Sequence, residues 1–173
     1  MRLGRSFYER DVLDVAPDLI GKMLFKNTRE GCLAYMITEV EAYRGSEDEA
    51  SHARFGKTSR NAIMFSGGGM IYMYFIYGMY WMLNIVTGTE GNPQAVLLRG
   101  IKGYNGPGKV TRALGIDKSY YGIDLVKSDQ LWIEDHHIEM PVLRKPRVGI
   151  GYASEPWKSN PWRYLMVQPP QIV

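Results

Sequence analysis

Two glutamates near the end of one strand-like run raise the first chemical question. Cys32–Tyr43 alternates in strand fashion, with Leu33, Tyr35, Ile37, Glu39, Glu41 and Tyr43 on one face and Ala34, Met36, Thr38, Val40 and Ala42 on the other. The first face turns from apolar to acidic toward its C-terminal end. One reading is a strand whose end emerges into water, where carboxylates usually sit. The other is a carboxylate held on a rigid strand beside an aromatic ring, the placement that activation of a water molecule needs. Periodicity alone chooses neither between these readings nor between Glu39 and Glu41.

The second feature is aromatic. Met70 to Val86 carries no charge over 17 positions, close to the length of a membrane span, but it holds Tyr72, Tyr74, Tyr77 and Tyr80 and is broken at Gly78. Two β-strands joined by a tight turn at Tyr77-Gly78 fit better, since glycine tolerates the positive φ of such turns. Core packing accounts for about half of these side chains because strand faces alternate. Large side chains at the tip, Tyr77, Met79 and Tyr80, cannot all be buried by their own domain. Exposed aromatic and Met wedges are used to part base steps in a DNA minor groove.

Other candidate chemistry is weaker. Gly103-x-x-x-x-Gly108-Lys109 nearly spells a phosphate-binding loop, but Val110 stands where Ser or Thr would hold magnesium, and residues 100–105 read as a turn with no strand of useful length before the glycines. What remains is a glycine-rich helix start beside a lysine, able to receive a backbone phosphate. Ser51, His52 and Asp48 could suggest a hydrolase triad, but no nucleophile elbow is present. Three histidines and one cysteine, without C-x-x-C or H-E-x-x-H spacing, argue against a metal site.

The elements that must position these residues follow from patterning. Asp11 to Leu24 reads as short helical pieces with Pro17 at a first helical position. Strands are expected at Lys22–Lys26 and Cys32–Tyr43, joined by a hairpin loop over 27–31, and again at Ala95–Arg99, Leu131–Glu134, Arg147–Gly151 and Arg163–Val167. Gly106-Pro107-Gly108 opens a helix over Lys109–Leu114. Residues 44–61 are polar and irregular, the kind of long loop that usually serves function. Strands outnumber helices, so the expected fold is α+β, a single domain over 1–173 with a mostly antiparallel sheet, short flanking helices and a protruding β-hairpin.

Composition sets limits without deciding function. The charge of +3 is compatible with a nucleic-acid partner and with much else. Cys32 is alone, so an internal disulfide is impossible, and the charged N-terminal residues lack the apolar run of a secretory signal. Both favour a cytoplasmic protein, nuclear if eukaryotic, rather than a secreted one.

An ordered series of motifs is more specific than any single one. It runs through Glu39-Val40-Glu41-Ala42-Tyr43, Asp48-Glu49-Ala50-Ser51-His52-Ala53, Arg60-Asn61-x-x-Met64-Phe65, Tyr72-x-Tyr74-x-x-Tyr77-Gly78-Met79-Tyr80, Asn84 and Val96-Leu97-Leu98-Arg99. Gly106-Pro107-Gly108-Lys109, Ala113-Leu114-Gly115-Ile116 and Arg147-Val148-Gly149 follow in order. Over roughly residues 12–167 this series resembles the alkyladenine (3-methyladenine) DNA glycosylase family. The resemblance implies excision of alkylated or deaminated purines from double-stranded DNA by a monomer that uses no metal and no nucleotide cofactor. It implies Glu41 as the general base, with Arg99 and the backbone carbonyl of Val148 holding the attacking water. It implies Tyr43 and Tyr74 as the sandwich around a flipped base, His52 closing that pocket, and Asn84 excluding guanine's 2-amino group. Tyr77 would fill the gap left in the duplex, with Met79 and Tyr80 beside it in the minor groove. No lysine falls at a matched catalytic position, so no Schiff-base lyase step is implied. The chain departs from the family in a short connection over Gly100–Asn105 and in Ser59, which stands where proline is usual. The short connection motivates a competing expectation, a non-catalytic module that binds distorted DNA; retention of both Glu41 and Arg99 argues against it.

Overall fold

The structure is a computed structural model that describes residues 1–167. Its helices are α1, Arg5–Tyr8, α2, Val12–Leu19, and α3, Pro107–Leu114. Its strands are β1, Met23–Thr28, β2, Gly31–Arg44, β3, Ile71–Ile76, β4, Tyr80–Thr87, and β5, Gln94–Ile101. They continue with β6, Tyr104–Asn105, β7, Leu131–Glu134, β8, Val142–Lys145, and β9, Arg163–Met166. The main strand order is β3-β4-β5-β2-β1-β7, with β6 on β5, β9 on β2 and β8 on β9, and every pairing among the described residues is antiparallel. The fold is α+β, as the pattern of elements predicts. Residues 168–173 of the expected domain lie outside the described residues.

Strand β2 organises the molecule. Its first half pairs with β1, from Thr28↔Gly31 to Met23↔Met36, and its second half pairs with β5, from Ile37↔Ile101 to Arg44↔Gln94. Over Glu39–Glu41 its other edge is taken by β9. A residue on this stretch is therefore fixed by ladders on both sides.

The register between β2 and β5 slips between Ile37 and Glu39 and again between Glu39 and Val40. This irregularity corrects the expected single face. Ile37 packs in the main core with Val40 and Ala42, while Glu39 and Glu41 point the other way. A bulge lets a strand re-aim its side chains. The change from apolar to acidic is thus a switch of side, not one face running out into solvent.

Helix α2 packs on β2 through Val12, Val15, Ala16 and Leu19, all buried at i, i+3, i+4 and i+7 spacing. The Asp11 carboxylate accepts the Leu13 N–H at 2.9 Å and caps the helix, so the helix starts before Pro17. Pro17 lies inside it, not at its first position, because the cap and the apolar stripe set the start. Further differences follow from tertiary pairing. The β1–β2 turn is only Arg29-Glu30, since the strands run into the expected loop. Strand β5 extends to Ile101 and turns back through Lys102-Gly103 into β6, so a strand does precede the glycine-rich segment. The phosphate-loop reading still fails, because Val110 is fully buried and the Thr111 hydroxyl is spent on the Trp81 carbonyl at 2.8 Å. Residues 147–151 are not a strand. They form a loop whose anchor is a buried arginine rather than a ladder, while the unpredicted β8 pairs with β9.

Candidate active site

Glu41 has no exposed surface. Its Oε1 accepts the Val148 N–H at 2.7 Å, and its Oε2 accepts the Tyr43 hydroxyl at 2.8 Å. Arg99 Nε stands 3.5 Å from Oε1. Burial pushes the Glu41 carboxyl above its ordinary range, opposed by the Arg99 charge, the Val148 N–H, the Tyr43 hydroxyl and the Arg147 charge. A carboxylate so held is a stronger base than one in water yet keeps donors enough to ionise.

Glu39 is not a second copy of Glu41. Its Oε1 accepts from Arg99 Nε at 3.2 Å and from Arg163 Nη1 at 3.1 Å. Glu39 therefore holds Arg99 in place and is itself paired with two arginines through one oxygen. The two glutamates share Arg99 but differ in their other partners, Arg163 for Glu39 and Val148 and Tyr43 for Glu41.

Glu41 lies at the floor of a cleft of about 320 Å³ that opens to solvent. Tyr43, His52, Tyr74, Tyr77, Arg99 and Val148 line it too, so six of the residues singled out from the sequence meet Glu41 there. A smaller void behind it is bounded by Tyr43, His52, Tyr72, Tyr74 and Asn84. Asn84 is buried at its inner end, its Nδ2 directed to the Tyr72 and Met82 carbonyls at 3.3 and 3.4 Å.

His52 is exposed as a whole, but one ring edge is tucked in. Its Nδ1 lies 2.9 Å from the Tyr72 hydroxyl, and its ring centroid lies 4.4 Å from that of Tyr74. Desolvation of that edge, helped by the Arg60 charge, lowers its pKa to about 4, so the ring is neutral at pH 7. The triad reading dissolves here: Asp48 is buried against Arg147, and Ser51 Oγ accepts the Ala53 N–H.

The hairpin tip has a different character. Tyr77 and Gly78 both have positive φ, 54° and 62°, and Tyr77 is 82% exposed. Nothing would meet a Cβ at Gly78, so its glycine answers the backbone conformation rather than a lack of space. A tyrosine in the left-handed region is an outlier, and it throws the ring clear of the sheet. Met79 is exposed as well, but Tyr80 is half-buried and packs on α3. A Cβ at Gly108 would stand 2.5 Å from the Tyr80 ring, so glycine is required there for close approach.

Sequence reasoning assigned the Val148 carbonyl a role; the contact present here is made by its N–H. Asp48, Arg147 and Tyr152 received no role from the sequence, although Tyr152 also lines the cleft. Asp48 and Arg147 lie 99 residues apart, and nothing local in the sequence joins them. The only signal was their presence inside two of the ordered motifs.

The chain matches the family described as Methylpurine-DNA glycosylase over residues 6–104 and 102–170, two stretches that meet at the short β5–β6 hairpin. A protein of Desulfitobacterium hafniense named "Putative 3-methyladenine DNA glycosylase" is 41% identical over 193 residues, covering 95% of each chain. Relatives of the same name from a Wolbachia of Brugia malayi, 43% identical over 169 residues, and from Methanocella arvoryzae, 40% identical over 182 residues, each cover 94% of this chain. They are themselves covered to 95% and 90%. With both stretches of the match spanning nearly its whole length and the relatives aligned end to end, this chain belongs to the methylpurine-DNA glycosylase family.

Proposed function

We propose that the protein is a monomeric, monofunctional DNA glycosylase that hydrolyses the N-glycosidic bond of alkylated or deaminated purines in duplex DNA. The observation that carries this reading is Glu41, a fully buried carboxylate with a hydrogen-bond donor on each oxygen and the Arg99 charge 3.5 Å away, at the floor of an aromatic cleft whose rim is an exposed tyrosine. A stacked base hides its glycosidic bond, so the nucleotide must rotate out of the duplex at a cost of about a few kcal/mol. Tyr77, with Met79 beside it, takes the vacated space and opposes the return. The Tyr43 and Tyr74 faces attract an electron-poor alkylated ring. Neutral His52 closes the pocket without repelling a cationic base, and Asn84 bounds the inner end where a 2-amino group would project.

As the C1′–N bond breaks, the base takes the bonding pair and positive charge grows on the sugar, as in glycoside hydrolysis. Ionised Glu41 stabilises that charge and accepts a proton from water as the new O–C1′ bond forms. Arg99, held by Glu39, and the Val148 backbone orient that water. Cationic 3-methyladenine and 7-methylguanine leave as neutral bases; hypoxanthine and ethenoadenine need a proton on the leaving group.

The test is strand scission after alkali on duplexes carrying single lesions, with wild type and Glu41→Gln compared. Abasic sites from wild type, and about 10²–10⁴-fold slower formation of them by Glu41→Gln, are expected. Specific binding of damaged duplex by wild type, with no abasic product from any lesion, would establish the non-catalytic reading instead.

A further inference from the structure

The Val148 N–H reaches Glu41 from a loop, residues 146–150, that forms no ladder with its surroundings. What fixes that loop is the side chain next door. Arg147 Nη1 and Nη2 donate to Asp48 Oδ2 and Oδ1 at 2.5 and 2.9 Å, and both side chains are fully buried. Nη1 also donates to the Ala42 carbonyl at 3.0 Å, on the strand that carries Glu41. The guanidinium lies between two rings, with centroids of Tyr43 and Trp162 at 4.8 and 5.0 Å. Asp48 in turn accepts the Arg44 and Ala50 N–H groups, which fixes the loop leading to His52.

A buried ion pair contributes little stability over an apolar substitute, so stability alone does not account for this one. Arg147 Nη2 also donates to the Trp157 carbonyl at 3.3 Å, and among the pair's neighbours Tyr43, Ala50 and Val148 line the cleft itself. We propose that Asp48 and Arg147 are positioning residues: the pair seats the Val148 N–H on Glu41 Oε1 and backs the Tyr43 ring from behind, and so acts on the reaction without touching substrate. This inference rests on the glycosylase reading of Glu41. Arg163, which donates to the Pro146 carbonyl at 2.9 Å, anchors the loop one residue earlier and cannot set the direction of the Val148 N–H.

Glu41 faces Arg99 from β5, Tyr43 from its own strand, Tyr74 from β3, and Arg147 from the loop, with Arg163 and Glu39 behind Arg99. Losing one hydrogen bond to the carboxylate raises the pH at which it ionises by about one to two units. The rate step that needs ionised Glu41 then reaches its plateau at correspondingly higher pH.

The experiment is a ¹³C NMR titration of the Glu41 carboxyl, assigned by its loss in Glu41→Gln, together with single-turnover excision against pH. Two variants are compared with wild type. Arg147→Lys keeps the charge but cannot present two parallel donors. The double variant Asp48→Asn with Arg147→Gln removes both charges together, so that neither is left unpaired in the core, which guards against loss of folding. The expected result is an upward move of the carboxyl midpoint by about one unit in both variants, with the acidic limb of the rate profile moving alike. A midpoint unchanged in both, or moved only in the uncharged pair, overturns positioning; the latter outcome would be a field effect of the charge. A fall in rate at every pH with the limb in place is a structural role only and also overturns it. The titration needs no turnover, so a wild type that excises nothing would sink the glycosylase reading while the carboxyl midpoint still judged the clamp.

Discussion

Glu41 and Tyr77 line one cleft but are built in opposite ways. Glu41 sits mid-strand with ladders on both edges, fully buried, and its carboxylate has a hydrogen-bond donor on each oxygen. Tyr77 sits on the three-residue turn Tyr77-Gly78-Met79, 82% exposed, in a backbone region that tyrosine rarely adopts. The floor is overdetermined, so an error of a fraction of an ångström is resisted from several sides. The tip is held only by the β3–β4 ladder beneath it, and its ring is free to meet a partner. The first suits bond chemistry, which demands fixed geometry. The second suits entry into a deformable surface, where reach matters more than exact placement.

Breaking the floor gives the largest expected effect. Glu41→Gln lowers single-turnover excision by about 10²–10⁴-fold, the usual contribution of a general base, while fluorescence anisotropy shows lesion binding retained. A wild-type rate would remove Glu41 from the chemistry. Arg99→Gln comes next. It removes a charge that lowers the Glu41 carboxyl and leaves Glu39 to Arg163 alone, so excision falls by about 10–100-fold. A pH–rate profile checks the sign, because the acidic limb must move to higher pH as Glu41 becomes harder to ionise.

Altering the tip sharpens the contrast by separating stability from capture. Tyr77→Gly relieves a left-handed residue and stabilises the fold by up to about 1 kcal/mol, partly offset by the freer unfolded chain. The same change lowers the ratio of lesion to undamaged-duplex binding by about tenfold, an order-of-magnitude expectation for one lost aromatic stack. Urea midpoints and competition binding measure the two; a tip variant that loses stability and keeps its binding ratio contradicts both halves.

The smallest effect belongs to His52, between floor and tip. Its pKa is lowered to about 4 in the fold, below its ordinary 6.5, so the unfolded chain takes the proton first as pH falls. The stability associated with neutral His52 is complete above about pH 6.5 and is lost on the way down to about 4. Urea midpoints over that range fall less steeply in His52→Gln. Equal slopes would show that the ring edge is not desolvated.

The legible parts of this protein are those set by neighbours in sequence. The β3–β4 hairpin was readable because tyrosines alternate on either side of Tyr77-Gly78, and α3 because Gly106 and Pro107 mark its start. Strand β8 was missed because Val142–Lys145 is short and exposed and exists only through its pairing with β9. Arg147–Gly151 was misread as a strand because Val148 and Ile150 alternate, yet Arg147 goes to a partner in the core instead.

The candidate site divides along the same line. Residue types and order alone determined that a carboxylate, a set of tyrosines, His52 and Arg99 belong together, since the motifs arrive in one series. Only the tertiary structure decided which partners each glutamate meets. The irregular register near Glu39 turns Glu39 and Glu41 away from the core, where Glu39 pairs with Arg99 and Arg163 and Glu41 lines the cleft. Strand periodicity carries no term for a partner on another strand, so the difference in surroundings between two glutamates of one local pattern came from Arg99, Arg163 and Val148, brought there from far along the chain.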